Sequence, residues 1–138
     1  MRSIILTAFL AAAATPPQAT ATIQKPKAQT VTGGLCRILS DGAFAVQIGP
    51  NPDMRTLALA IGPSVMAEQL HANTAKYAGP GKYTNEIIAV YLGKTALEDS
   101  YLGLGTVTIN ADRKSGAFAL NDGTASGTFD CGAAPLKP

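Results

Sequence analysis

Beyond residue 30 the chain alternates apolar and polar residues with a period of two. In AFAVQI (43–48), the side chains of Phe44, Val46 and Ile48 fall on one side. The same alternation runs through 32–39, 54–61, 86–93, 101–110, 117–120 and 124–131. A period of two is typical of strands with one buried face, and Gly, Pro, Asn and Asp between the runs favour turns. The pattern therefore predicts about seven or eight short strands.

One stretch, PSVMAEQLHAN (63–73), departs from this period. Pro63 suits the first turn of a helix, Asn73 can end one in the left-handed conformation, and Val65, Met66 and Leu70 have helical spacing. We predict one short helix here. Because no helices alternate with the strands, the fold class is mainly β: an antiparallel β-sandwich or a closed barrel with one short helix and one disulfide.

The N-terminus has the layout of a secretory signal peptide. Arg2 precedes an apolar run from Ile4 to Ala14, two prolines follow, and an A-x-A motif ends at Ala21. A membrane anchor is the alternative, but a helix needs about 20 apolar residues to cross a bilayer. We predict cleavage after Ala21, with cleavage after Ala14 as the second choice. The first cysteine, Cys36, lies too far along the chain for a lipoprotein signal.

These features divide the chain into four segments. We expect a signal peptide at 1–21, a flexible lead-in at 22–30, a single β domain at 31–132 and a flexible tail at 133–138. The chain has 11 Lys and Arg against 9 Asp and Glu, a formal net charge of +2. This balance gives no electrostatic reason to expect a nucleic-acid partner. The predicted location is secreted or periplasmic, with no transmembrane anchor and an unspecified oligomeric state.

The two cysteines lie on the first and last predicted strands of the domain. Cys36 shares a face with Ile38, and Cys131 shares one with Phe129. In a secreted chain, two cysteines indicate a disulfide, which we predict between Cys36 and Cys131. The loop that it closes would stabilise the fold by about 4–5 kcal/mol in the chain-entropy model. A redox-active cysteine is the alternative, although the chain has no C-x-x-C motif.

Three stretches suggest a family resemblance: TGGLC (32–36), SGTFDC (126–131) and the predicted hairpin VTIN…SGAFAL (107–120). Together with the N-terminal signal, they resemble the mycobacterial lipoprotein-antigen family and related small secreted bacterial β-sandwich proteins. The resemblance implies a secreted or cell-surface module with no established enzymatic role. The chain departs from that family because it has no lipidation cysteine.

Candidate catalytic and metal-binding groups are few. His71 is the only histidine and Ser64 is the serine nearest to it, but no G-x-S-x-G motif accompanies them. Asn110, Asp112 and Ser115 offer oxygen ligands, yet the stretch lacks the glycine and the closing glutamate of a calcium loop. The adjacent carboxylates Glu98 and Asp99 are at most an unsupported glycosidase pair. We predict no catalytic residues, no metal site and no cofactor.

Tyr77 and Tyr83 flank the turn sequence Gly-Pro-Gly and can meet across it. They would form either an aromatic contact surface or a cap on the core. For the whole protein we predict a secreted or cell-surface non-catalytic β module that acts by contact with a macromolecular or cell-envelope partner. The alternatives are a carrier of small apolar ligands, with its pocket inside the barrel, and a hydrolase.

Overall fold

The computed structural model describes residues 18–135. Residues 1–17, which hold most of the predicted signal peptide, and 136–138, at the end of the predicted tail, lie outside the described residues. The described part has nine strands and one helix: β1 (Thr20–Lys25), β2 (Gln29–Thr32), β3 (Gly34–Ile38), β4 (Phe44–Ile48), β5 (Leu57–Ile61), α1 (Val65–Gln69), β6 (Gly81–Tyr91), β7 (Ser100–Ile109), β8 (Ser115–Leu120) and β9 (Ser126–Asp130).

The strands form one antiparallel sheet that curls into a nearly closed barrel. Their order is β2-β1-β9-β8-β7-β6-β5-β4-β3, so β2 and β3 are its two edges. These edges are consecutive in the chain, with Gly33 alone between them. The predicted mainly β fold with one short helix and one disulfide is confirmed, and the nearly closed sheet is nearer to the predicted barrel than to the sandwich.

Gly33 joins the two edges of the sheet. Its N–H donates to the carbonyl of Ala19, before β1, and its own carbonyl accepts from Gly49, after β4. Its φ of 109° lies where only glycine is comfortable. The chain therefore stops pairing with β1 and starts pairing with β4 at this residue, which brings the two edges of the sheet together.

The predicted disulfide between Cys36 and Cys131 is present, with Cα atoms 5.5 Å apart. β1 starts at Thr20, which pairs with Thr32 of β2 and Asp130 of β9. Because β1 does not extend beyond Thr20, β3 continues without β1 as a neighbour. The disulfide connects β3 to the end of β9 across the resulting gap. It therefore strengthens the barrel at the place where hydrogen bonding between strands stops.

The barrel interior is filled by side chains. Inward positions predicted from the alternation, such as Phe44, Val46 and Ile48, are fully buried. Glycines make room for the larger ones: Gly116 pairs with Phe129 and Gly127 with Phe118, and a methyl group on either glycine would approach the opposite ring to 3.0 Å or less. Each glycine thus accepts an aromatic ring from the neighbouring strand.

The predicted flexible lead-in at 22–30 is wrong. β1 and β2 pair with each other across this segment, and β1 also pairs with β9. Ala19, Ala21 and Ile23 face the core and are buried. Their alternation with threonines has the same period of two as the other strands, but small alanines beside signal-like features obscured it. The β domain therefore begins before residue 31.

Antiparallel order places alternate loops at the same end of the barrel. The end reached by β3, β5, β7 and β9 carries the loops 39–43, 62–80 and 110–114, and we call it the upper end. Helix α1 belongs to the longest of these loops. Ser64 caps it, since the Ser64 hydroxyl accepts from the Ala67 N–H at 2.9 Å. The left-handed residue after the helix is His71, with φ 57°, rather than the predicted Asn73.

Candidate functional site

Three loops of the upper end surround an open pocket of about 570 Å³. We call it the basic pocket, because it is lined by Lys76 and Arg113 and by no carboxylate. Its other lining residues include Ser40, Gly42, Tyr77 and Pro80. The pocket therefore combines two cations with an aromatic ring and hydroxyl groups, although the chain as a whole is close to neutral.

A backbone hydrogen bond connects two of these loops. The Tyr77 N–H donates to the carbonyl of Gly42 at 2.9 Å, which fastens the loop 62–80 to the loop 39–43. Gly42 has a φ of 93°, and a methyl group there would come within 2.8 Å of the Lys76 side chain. Since Lys76 lies directly against Gly42, the lysine stem rests on backbone at the rim of the pocket.

Arg113 reaches the pocket from the third loop, the turn between β7 and β8. Its φ is 65°, and its N–H donates to Asn110 at 3.0 Å. The Asp112 carboxylate accepts from the N–H groups of Lys114 and Ser115 and from the Ser115 hydroxyl. These hydrogen bonds, the one from Lys114 first, lower the pKa of Asp112 below its usual value. Asp112 thus fixes the turn that presents Arg113.

Tyr77 and Tyr83 meet, with ring centroids 5.7 Å apart, and Tyr77 also packs on Phe44 at 4.9 Å. The Tyr83 hydroxyl donates to the Gly79 carbonyl and accepts from the Ala78 N–H. Tyr83 therefore supports the loop, while Tyr77 faces the pocket. Burial is the largest cause that raises the pKa of Tyr77 above its usual value, and the electrostatic effect of Tyr83 adds to it. The positive charge of Arg113 and its hydrogen bond lower the pKa and so oppose this shift.

Glu86 lies buried beneath the loop 62–80. It faces inward at the irregularity of β6, and its carboxylate accepts from the Asn73 side chain at 2.6 Å and from the Gly62 N–H at 3.4 Å. Burial raises the pKa of Glu86 above its usual value, and these two hydrogen bonds oppose that shift. The carboxylate links the start and the middle of the loop to the barrel, so it helps to position Lys76 and Tyr77.

The other candidate groups from the sequence have structural roles or stand apart. The Ser64 hydroxyl caps α1, and the His71 side chain is exposed. Asn110 and Ser115 hydrogen-bond within their own turn. Asp99 accepts from the Tyr101 hydroxyl at 2.9 Å. Among residues 18–135, no three His, Cys, Asp or Glu side chains are grouped so that they could hold a metal ion.

Sequence reasoning missed Lys76, Arg113 and Glu86. The two cations come from loops far apart in the sequence, and neither belongs to a motif. For Glu86 a signal existed, since it shares the parity of Ile88 and Val90, the inward residues of β6. Charged residues are rarely buried unless they have a partner, so a glutamate on the inward face of a strand indicates a specific structural or functional role.

Comparison with protein-family models, curated proteins and solved structures gave no match for this chain. The resemblance to the mycobacterial lipoprotein-antigen family therefore stays a prediction. In the part of the chain that the structure describes, no helix has both the length and the apolar character that crossing a bilayer requires.

Proposed function

We propose that this protein is a non-catalytic, extracytoplasmic binding module whose basic pocket contacts an anionic macromolecule, such as an acidic polymer of the cell envelope. The observation that carries the proposal is the pocket itself, whose lining includes Lys76 and Arg113 and no carboxylate. An ammonium and a guanidinium that converge on one space favour a carboxylate or phosphate group there.

The shape of the pocket supports a polymer rather than a small enclosed ligand. It is open at the end of the barrel, so a long chain can pass over it while one anionic group enters. Tyr77 also lines the pocket, and its hydroxyl lies beside Arg113, where it can hydrogen-bond to a polar group of the polymer. Since the net charge is only +2, attraction would be local to this pocket.

An extracytoplasmic location agrees with the disulfide, because such bonds persist in oxidising compartments. A signal peptide belongs to the same proposal, with cleavage after Ala14, because cleavage after Ala21 would remove Ala19 and Ala21 from the core of the barrel. We rank the carrier second because apolar side chains pack the interior of the barrel. We rank the hydrolase third because Ser64 serves as a helix cap and His71 is exposed on the surface.

Affinity electrophoresis in native gels tests the proposal. Polygalacturonate supplies carboxylates, polyphosphate supplies phosphates, and dextran is the neutral control. The wild-type protein should be retarded by at least one acidic polymer at low ionic strength, and less so as salt is added. The double variant Lys76→Gln/Arg113→Asn should bind about tenfold or more weakly, since it removes both cations.

Lys27→Gln/Lys94→Gln is the matched control, because it also removes two positive charges. Both lysines are exposed in loops at the opposite end of the barrel from the pocket. This control variant should bind within about twofold of the wild type. Equal weakening by the control and by Lys76→Gln/Arg113→Asn would show general charge attraction and contradict the proposal. Absence of retardation by either acidic polymer at low salt would contradict it as well.

A further inference from the structure

Apart from Gln47, the outer surface of β4 to β7 is apolar in register across four strands. One row runs Ala45, Ala60, Ile87 and Leu104, and the next runs Gln47, Ala58, Ala89 and Leu102. In an antiparallel barrel these outward positions ordinarily carry polar side chains. Around the other side, the outward positions of β1, β2 and β9 are largely threonine and serine. The apolar character is thus confined to one side of the barrel.

Small and large residues give this surface a relief. Ala45, Ala58, Ala60 and Ala89 form a floor, and Met66, Tyr91 and Leu102 rise beside it, which leaves a groove of about 370 Å³. We call it the alanine groove. No charged residue lines it. Leu102 is 57% exposed and Met66 51% exposed, so two large apolar side chains face solvent at its borders.

We propose that the alanine groove is the interface of a homodimer, in which a second copy of this chain packs the same face against it. Two observations favour a second copy. No charged side chain lines the groove, and Arg37 of β3, which pairs with Ala45, lies at its border. A partner for the groove therefore needs an uncharged apolar surface, and the same groove on a second copy provides one. The relief of the groove is also self-complementary: about a two-fold axis, the Leu102 ridge of one copy can rest on the alanine floor of the other.

The size of the face sets the expected strength. Four strands about 4.8 Å apart, with two or three outward residues each about 6.8 Å apart, cover roughly 300–400 Å². Met66 and the neighbouring α1 surface add to this area. A standard stable interface buries about 800 Å² on each partner. The face therefore suits a weak, reversible dimer with a dissociation constant in the micromolar range, formed by aligned packing of two sheets.

This inference does not depend on the proposed function, since the groove lies on the side of the barrel and the basic pocket at its end. The test is sedimentation velocity on the full exported, oxidised protein from about 1 to 500 µM, a range that spans the expected dissociation constant. The wild type should pass from monomer to dimer. Ala58→Glu places a charge on the floor of the groove and should stay monomeric throughout.

Ala117→Glu is the matched control. Ala117 is an outward alanine in the middle of β8, between Thr108 and Thr128 on the polar side of the barrel. The Ala117→Glu variant carries the same change of residue as Ala58→Glu, and it should dimerise like the wild type. If Ala58→Glu does not fold, as judged by circular dichroism, Leu102→Lys replaces it, because the side chain of Leu102 is already mostly in solvent. Leu102→Lys should also remain monomeric.

Two kinds of result would overturn the proposal, and each indicates a different role for the groove. A wild type that stays monomeric to 500 µM excludes a second copy, and if it then binds dodecanoate with micromolar affinity, the groove takes a small apolar ligand. A dimer that persists in both Ala58→Glu and Leu102→Lys, or that Ala117→Glu disrupts, places the interface on another surface.

Discussion

Replacing Gly105 by alanine should destabilise the barrel far more than replacing Gly103, although both lie on β7 two residues apart. A Cβ on Gly105 would collide with the carbonyl oxygen of Ala119 and lie 2.7 Å from the Cδ1 of Ile88. A Cβ on Gly103 meets only the Cδ2 of Leu120, at 3.6 Å, which is an ordinary contact. The two substitutions therefore differ in available space and not in residue type.

The expected magnitudes follow from that space. Overpacking a core position costs about 1–3 kcal/mol, and at Gly105 part of the obstruction is backbone, which puts the cost at the upper end. Gly103→Ala should be neutral or stabilise by about 0.4–1 kcal/mol, because alanine restricts the unfolded chain. The gap of about 2–4 kcal/mol is large beside a total stability of about 5–15 kcal/mol.

Urea unfolding of the oxidised proteins, followed by far-ultraviolet circular dichroism, measures the difference; the chain has no tryptophan to serve as a probe. Ile88→Val removes the Cδ1 that obstructs the new methyl group, so the double variant should recover part of the loss in a double-mutant cycle. Unfolding free energies of Gly105→Ala and Gly103→Ala that agree within about 0.5 kcal/mol would refute the packing argument.

Further predictions concern the disulfide, the buried carboxylate, the start of β1 and the histidine. Under denaturing, non-reducing conditions the protein should show no free thiol, and Cys36→Ala/Cys131→Ala should lose up to about 4–5 kcal/mol in urea unfolding; two alkylatable cysteines would contradict the bond. Because burial raises the folded pKa of Glu86 above its unfolded value, its favourable contribution is complete below about pH 4.5 and is lost as pH rises through the folded pKa. The unfolding free energy of Glu86→Gln relative to the wild type should therefore increase between pH 4.5 and 7, and a constant difference would count against the assignment. A chain that starts at Thr15 keeps β1 whole, whereas one that starts at Thr22 loses the buried Ala19 and Ala21 and the hydrogen bond from Gly33, and should unfold at a lower urea concentration; identical midpoints would argue against a role for these residues. His71→Ala should change the unfolding free energy by less than about 1 kcal/mol, as exposed positions usually do, and a rate loss of about 100-fold in any hydrolytic activity would instead indicate a general base.

The strands from β3 onward were predictable because burial on one face imposes a period of two on the sequence. Phe44, Val46 and Ile48 needed no knowledge of their partners to be assigned inward. The pairing of Cys36 with Cys131 was equally accessible, since a chain with two cysteines offers one intramolecular pairing. Whether the sheet closes was not accessible, because closure depends on the hydrogen bonds of Gly33 to Ala19 and Gly49.

The candidate site was largely beyond sequence reasoning. Only Tyr77 and Tyr83 could be paired in advance, because a single turn separates them. Lys76 follows β5 and Arg113 follows β7, and the barrel brings the ends of these two strands to the same rim. No local sequence pattern predicts that the two side chains line one pocket. β1 was missed for a different reason: its alanines alternate correctly but resemble a cleavage site.

The neighbouring ends of β1 and β9 give the barrel a definite mechanical response. Because Thr20 lies opposite Asp130, a force that separates the two termini would peel β1 away one hydrogen bond at a time instead of shearing many at once. Tension would then reach Cys36 and pass through sulfur to Cys131, so the segment between them, with a sequence separation of 95, would carry no load. The oxidised protein would lengthen slightly and then hold, whereas the reduced protein would unravel strand by strand.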